Sequence, residues 1–372
     1  MKLTGARELG ALFDSVQPFT VGLEEEVMLL EPRTLELLER GPELLERLPA
    51  DGRFKLEMPA SQLELLTAAH GAVPAAIAEL AQARRTLLDA VDGLARPAAG
   101  GVHPFSAAEG ALNPGPRYRH TASEYGPVAR RQLVCALQVH VAVGGAERTL
   151  STYNALREEL PLLAALAANA PVYEGRDTGL ASVRPLIAGL LPRQGVPPPL
   201  TGWDELEREL LWGAAAGSVP DPSSWWWELR PHPVFGTLEL RVPDAQTTLA
   251  DVEAIAAVAQ ALVACLAEEQ EELPAPSWRI EENRWAACRH GVEGAFADLR
   301  SGERRPAREC LHALIDRIEP FAGRLGSGRS LDHARELVET NGSLKQREVA
   351  RDGGPRGLAE WLARGFADGL HG

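Results

Sequence analysis

The chain has 372 residues, 45% of them hydrophobic and 24% charged, which is enough to build a sizeable core. Its formal net charge of −14 and pI near 5.2 argue against nonspecific binding to nucleic acid or to anionic membranes. The start of the chain has no signal-peptide pattern, no apolar run has membrane-spanning length, and Cys135, Cys265, Cys288 and Cys310 lack CxxC or zinc spacing, so we expect a cytoplasmic protein with reduced thiols.

After a lead-in over residues 1 to 18, FTVGLEEEVMLLEP alternates with the two-residue period of a strand. Glu24, Glu26, Met28 and Leu30 fall on one face, and Leu23, Glu25, Val27 and Leu29 on the other. Glu24 and Glu26 therefore point the same way, about 7 Å apart by the rise of a strand. Glu25 is expected at the rim or in solvent. A short helix is expected over Thr34 to Leu48. In RFKLEMPASQLELLT two short strands flank the breaker Pro59, and they carry Glu57 and Glu64. A helix follows from Pro74 to Leu94, with a stripe of Ile77, Leu80, Leu87, Leu88, Val91 and Leu94. GVHPFS is a strand end or loop bearing His103, and Arg117 to Arg131 is polar and partly helical.

RQLVCALQVHVAVGG is the second amphipathic strand. Leu133, Cys135, Leu137, Val139, Val141 and Val143 share one face, and Gln138 and His140 lie on the other. A helix over Ser151 to Ala168 has Pro161 as its bend point. Residues 185 to 224 form a Pro- and Gly-rich excursion around a helix at Trp203 to Trp212, of the kind that serves as a lid or binding loop. Trp225 to Trp227 are read as packing, with one ring available to a pocket, and Arg230 as a loop residue before a turn. In the third strand Leu238, Leu240 and Val242 alternate with Glu239 and Arg241. Thr248 or Asp251 caps a helix running to about Glu271. From residue 281 onward the pattern is helical, and His290, His312 and His333 have no partner spacing.

Three amphipathic strands fit one antiparallel sheet with helices on its apolar side. The opposite side then gathers Glu24, Glu26, Glu57 or Glu64, His140, Glu239 and Arg241. Clustered carboxylates repel one another at low dielectric unless protons or divalent cations intervene. A carboxylate-rich set with one imidazole suits Mg²⁺ or Mn²⁺ better than zinc. Arginine on the same face can neutralise a transferring phosphoryl group. The combination points to ATP-dependent phosphoryl chemistry without a P-loop, since neither GxxxxGK[ST] nor a GxGxxG after a strand is present.

With these blocks in order, together with RYRHTASEYG, ALAANAPVYEGRDTGLASVRP, WWWELRPHPVFGTLELRVPD and ENRWAACRHGVEG, the sequence resembles the YbdK-type carboxylate–amine ligases of the glutamate–cysteine ligase type 2 group. The resemblance implies an α+β, glutamine-synthetase-like fold, in which a curved antiparallel sheet carries helices on its outer face. It implies one ligase domain over residues 1 to 372, with 301 to 372 a mainly helical part. It also implies ATP and Mg²⁺ as cofactors, small-molecule substrates and a homodimer. The reaction it implies is phosphorylation of L-glutamate to an acyl phosphate, followed by displacement of phosphate by the amine of L-cysteine. By this resemblance Glu24, Glu26, Glu57, Glu64, His140 and Glu239 are metal ligands, and Arg241, Arg230 and Arg184 serve the phosphates. Many relatives carry GxHVHVG where this chain has ALQVHVA, so Gln138 replaces a histidine and is a poor metal ligand. The alternatives are a ligase for another acid and amine, or a non-catalytic Mg-nucleotide-binding descendant.

Overall fold

A computed structural model describes residues 5–217, 225–269 and 273–370. The first strand, β1 (Val21–Leu30), is the spine of a seven-stranded open sheet. The strands that follow are β2 (Phe54–Leu56), β3 (Gln62–Leu66), β4 (Arg96–Ala98) and β5 (Leu137–Ala142). A small hairpin of β6 (Val172–Tyr173) and β7 (Arg176–Asp177) stands apart from the sheet. Strands β8 (Leu229–His232) and β9 (Thr237–Leu240) complete the sheet in the order β2-β3-β1-β5-β9-β8, with β4 beside the far end of β1. Every pairing in it is antiparallel. A second hairpin, β10 (Ala295–Ala297) with β11 (Arg304–Pro306), lies among the C-terminal helices.

The apolar face follows the expected alternation. Leu23, Val27, Leu29, Leu63, Leu65, Leu137, Val139, Val141, Leu238 and Leu240 are all buried there. The helices Val73–Ala90 and Leu249–Leu266 pack on this side. The second is Ala- and Val-rich around its circumference because it is enclosed by helices as well as by the sheet. It is long and apolar enough to cross a bilayer by length and composition, which the sequence reading had not credited to any segment, but here it lies in the core. Thr248 caps it by accepting a hydrogen bond from the Asp251 amide, and it ends at Leu266, short of the expected Glu271, which lies outside the described residues. The main hydrophobic cluster runs from Leu9 to Phe366, so the last helices share the sheet's core.

Some local expectations are corrected. Of Thr34 to Leu48 only Gly41–Leu45 is helical. Glu31 Oε2 accepts from the Arg33 amide, Leu35 takes a left-handed φ of 63°, and Leu37 bridges back to Leu30, so the chain turns instead of coiling. The helix Ala146–Leu166 starts earlier than expected and continues through Pro161. Within the Pro- and Gly-rich excursion, residues 218–224 lie outside the described residues. Its middle is clamped to the Ala146–Leu166 helix, where Tyr153 Oη donates to Pro198 O, Arg157 Nε to Pro197 O and Asn154 Nδ2 to Leu200 O. Glu25 is not at the rim. It is fully buried on the helix side of β1, in a bidentate ion pair with Arg84. Arg84 also donates to the carbonyls of Gln246, Thr247 and Phe366 and lies over the Phe366 ring.

Candidate active site

The register explains why the polar side chains meet. Cross-strand partners point to the same face of a sheet. Glu26 pairs with Glu64, Glu24 with Gln138, His140 with Glu239, and Glu239 in turn with Arg230. Lys55 pairs with Glu64 on the edge strand. One face thus carries Lys55, Glu64, Glu26, Glu24, Gln138, His140, Glu239 and Arg230 across six strands. Arg241 follows β9 with the same parity as Glu239 and joins them. This face floors a cavity of about 350 Å³ that Glu24, Glu26, Glu57, Glu64, Arg184, Arg230 and Arg241 all line. His140 and Glu239 share this face but do not line the cavity.

One carboxylate oxygen each from Glu26, Glu57 and Glu64 lies within 4.8 Å of the others. Glu57 follows the end of β2, not within a strand as expected, and it reaches the cluster because the chain there is pinned from outside. Tyr118 Oη donates to Leu56 O at 2.7 Å, and Asn113 Nδ2 donates to Glu57 O at 2.6 Å. Burial and the neighbouring charge of Glu57 push the Glu26 carboxyl up to about 7. Burial raises Glu57, and burial together with the charges of Glu57, Glu24 and Glu26 raises Glu64 well above the usual range. Three carboxylates that resist simultaneous ionisation fit a divalent cation, whose charge removes the penalty.

Beside them, Glu24 lies 3.5 Å from His140 Nε2. Burial opposes its ionisation, but His140 draws the Glu24 carboxyl down to about 2. His140 Nδ1 is bonded to Thr237 Oγ1 at 3.0 Å, whereas the buried Nε2 has no hydrogen-bond partner. A buried imidazole nitrogen without a partner next to a carboxylate is a second observation that fits a metal ligand.

The cationic side is built around Glu239, which is wholly buried. Arg230 forks onto it through Nε and Nη2, the latter at 3.1 Å to Oε1, and Arg241 Nη1 donates to the same oxygen. Burial opposes ionisation of Glu239, and the two guanidinium groups reverse this and hold it well below the usual range. Arg230 belongs to edge strand β8, not to a loop as expected. Arg184 lines the cavity but is committed to its frame, with Nε on Asp244 Oδ1 at 2.7 Å and Nη2 on Val242 O at 2.6 Å. It holds the chain that leaves β9.

The sequence reading passed over several wall residues. Lys55, Arg117, Tyr118 and the buried pair Glu228–Arg284 all line the cavity. Lys55 was detectable from its parity with Glu57, and Trp226 is the ring that the tryptophan triplet lends to the pocket. His103, by contrast, is structural: Nε2 meets Leu35 O at 2.8 Å, and Nδ1 accepts from the amides of Phe105 and Ser106.

Residues 20–360 match the family described as glutamate-cysteine ligase family 2. A "putative glutamate–cysteine ligase 2-3" of Rubrobacter xylanophilus is 41% identical over 368 residues, covering 95% of this chain and 99% of that protein. A "putative glutamate–cysteine ligase 2" of Thermobifida fusca is 32% identical, covering 92% and 89%. Among solved structures, the glutamate–cysteine ligase of Francisella tularensis in complex with AMP superposes with a TM-score of 0.72 at 14% identity, covering 95% of this chain and 90% of that one. A bifunctional glutathione synthetase of Pasteurella multocida gives 0.64 at 14% identity, covering 97% and 53%. The likeness in fold therefore extends far beyond the likeness in sequence. The chain belongs to glutamate–cysteine ligase family 2, and with it to the ATP-dependent ligases that form carbon–nitrogen bonds.

Proposed function

We propose that the protein joins L-glutamate to L-cysteine at the expense of ATP, giving γ-glutamylcysteine, ADP and phosphate. The observation that supports this most is the meeting, in one cavity, of the Glu26–Glu57–Glu64 cluster with Arg241 and Arg230. Mg²⁺, or Mn²⁺ in its place, would be held by Glu26, Glu57 and Glu64 with Glu24 and His140 beside them, and would neutralise the charge of the ATP phosphates. Arg241, with Arg230 beside it, would place positive charge next to the phosphoryl group as it passes to an oxygen of the glutamate γ-carboxylate. Glu239 holds both arginines in place, in addition to the metal role that the resemblance implies. Arg184 positions the chain beyond β9. The cysteine amine then attacks the acyl carbonyl, the carbon–oxygen bond to phosphate breaks, and the amide is left. This scheme needs no covalent enzyme nucleophile, so catalysis is positioning plus charge stabilisation.

The test is product mass spectrometry after incubation with ATP, Mg²⁺, L-glutamate and a pool of amines. A γ-glutamylcysteine peak together with ADP is the expected result. A different amide would reassign the substrates and keep the reaction class. No phosphate release from any acid–amine pair, with Mg·ATP still bound, would favour the non-catalytic reading.

A further inference from the structure

We infer that Gln138 is a positioning residue whose side-chain amide holds Glu26 and Arg241 at a fixed separation, keeping the carboxylate free for a cation and the guanidinium free for phosphate. The inference rests on the metal and phosphate roles proposed above. Gln138 is buried between the two groups. Its Nε2 donates to Glu26 Oε1 at 2.9 Å, and its Oε1 accepts from Arg241 Nη1. A guanidinium can only donate, so Arg241 fixes the amide with Oε1 toward itself and Nε2 toward Glu26. Glu26 Oε2 takes the Ala136 amide at 2.7 Å. Each carboxylate oxygen is thereby engaged once and keeps a further lone pair. On the other side Arg241 spends Nη1 on Gln138 and Glu239, while Nε and Nη2 make no hydrogen bond among the described residues.

Without the spacer, a long arginine beside a buried carboxylate would collapse onto it as a direct ion pair. Such a pair would satisfy both charges and remove both from the cavity. A neutral amide prevents this because it satisfies one atom of each partner and adds no charge of its own. The glutamine is then a working part of the floor.

Two variants test the assignment. Gln138→Met keeps the bulk and removes both hydrogen bonds. Gln138→Asn keeps the amide on a shorter stem that cannot span both partners. Mn²⁺ binding to the nucleotide-free protein, followed by electron paramagnetic resonance, is expected to weaken at least about tenfold in both. The KM for Mg·ATP should rise in step, while the melting temperature stays within a few degrees of wild type. Wild-type Mn²⁺ affinity and KM in folded variants would overturn the inference, and so would a lower melting temperature with unchanged affinity. A wild-type protein that turns over no acid–amine pair would sink the ligase reading alone if Gln138→Met still weakened Mn²⁺ binding. A wild-type protein that binds no Mn²⁺ would overturn both.

Discussion

Glu26 on β1 and Glu64 on β3 are direct register partners on a buried face, with the Glu57 carboxylate completing the group. Like charges placed opposite each other on a sheet destabilise it, and burial adds to the cost. Glu64→Gln is therefore expected to stabilise the metal-free protein, by roughly 1 kcal/mol or a few degrees in melting temperature, while abolishing turnover. Calorimetric melting with and without Mg²⁺ checks this. Wild type should gain stability on adding Mg²⁺, and the variant should gain much less.

Removal of Glu239 acts in the opposite direction. Its carboxylate is shared by Arg230 and Arg241, both close-packed at the floor of the cavity. Glu239→Gln leaves two guanidinium groups facing each other without their counter-charge. Breaking a buried ion pair on one side costs about 3–5 kcal/mol. We expect a marked fall in melting temperature together with loss of ADP release. Arg241→Lys separates the two effects, because it retains a charge for Glu239 and loses the planar fork. Near-wild-type stability with severely reduced kcat is the expected outcome for that variant.

Much of this site could be read from alternation alone. The parity of β1, β5 and β9 placed Glu24, Glu26, Gln138, His140, Glu239 and Arg241 on one face, and the antiparallel register brought them together. Pairing between distant segments was not readable. Nothing in the spacing tells Glu25 that its partner is Arg84, fifty-nine residues away on a helix. Arg230 reads as a loop residue before a turn because its stretch is polar, but β8 is the last strand of the sheet, where Pro231 is tolerated. The helix expected over Thr34 to Leu48 failed for a local reason, the Glu31 turn and the left-handed Leu35.

The buried pair of Glu25 and Arg84 makes its own prediction. It ties β1 to the helix Val73–Ala90 and, through the Phe366 ring and carbonyl, to the last helix of the chain. Arg84→Met should cost about 3–5 kcal/mol by leaving the Glu25 carboxylate unpaired. The double variant Glu25→Leu with Arg84→Met should recover most of that loss, since neither charge remains to be desolvated. Denaturant titration of the two single variants and the double variant measures the coupling.

At the other end of the core helix, His333 joins the first turn of Leu249–Leu266 to the C-terminal helices. Its Nε2 meets Asp251 Oδ1 at 2.8 Å, and its Nδ1 meets Glu336 Oε2 at 2.8 Å. The hydrogen bond to Asp251 raises the His333 pKa above its ordinary value, against partial desolvation, and that to Glu336 adds to the rise. A histidine whose folded-state pKa lies above the unfolded one stabilises the fold fully below the unfolded value, near 6.5, and this contribution is lost as the pH rises through the folded value. Asp251 also faces Lys345 at 3.7 Å, so its charge stays compensated when the imidazole becomes neutral. Melting curves of wild type and His333→Phe should therefore differ most below pH 6 and converge in mildly alkaline buffer. A stability gap that widens with rising pH would contradict this assignment.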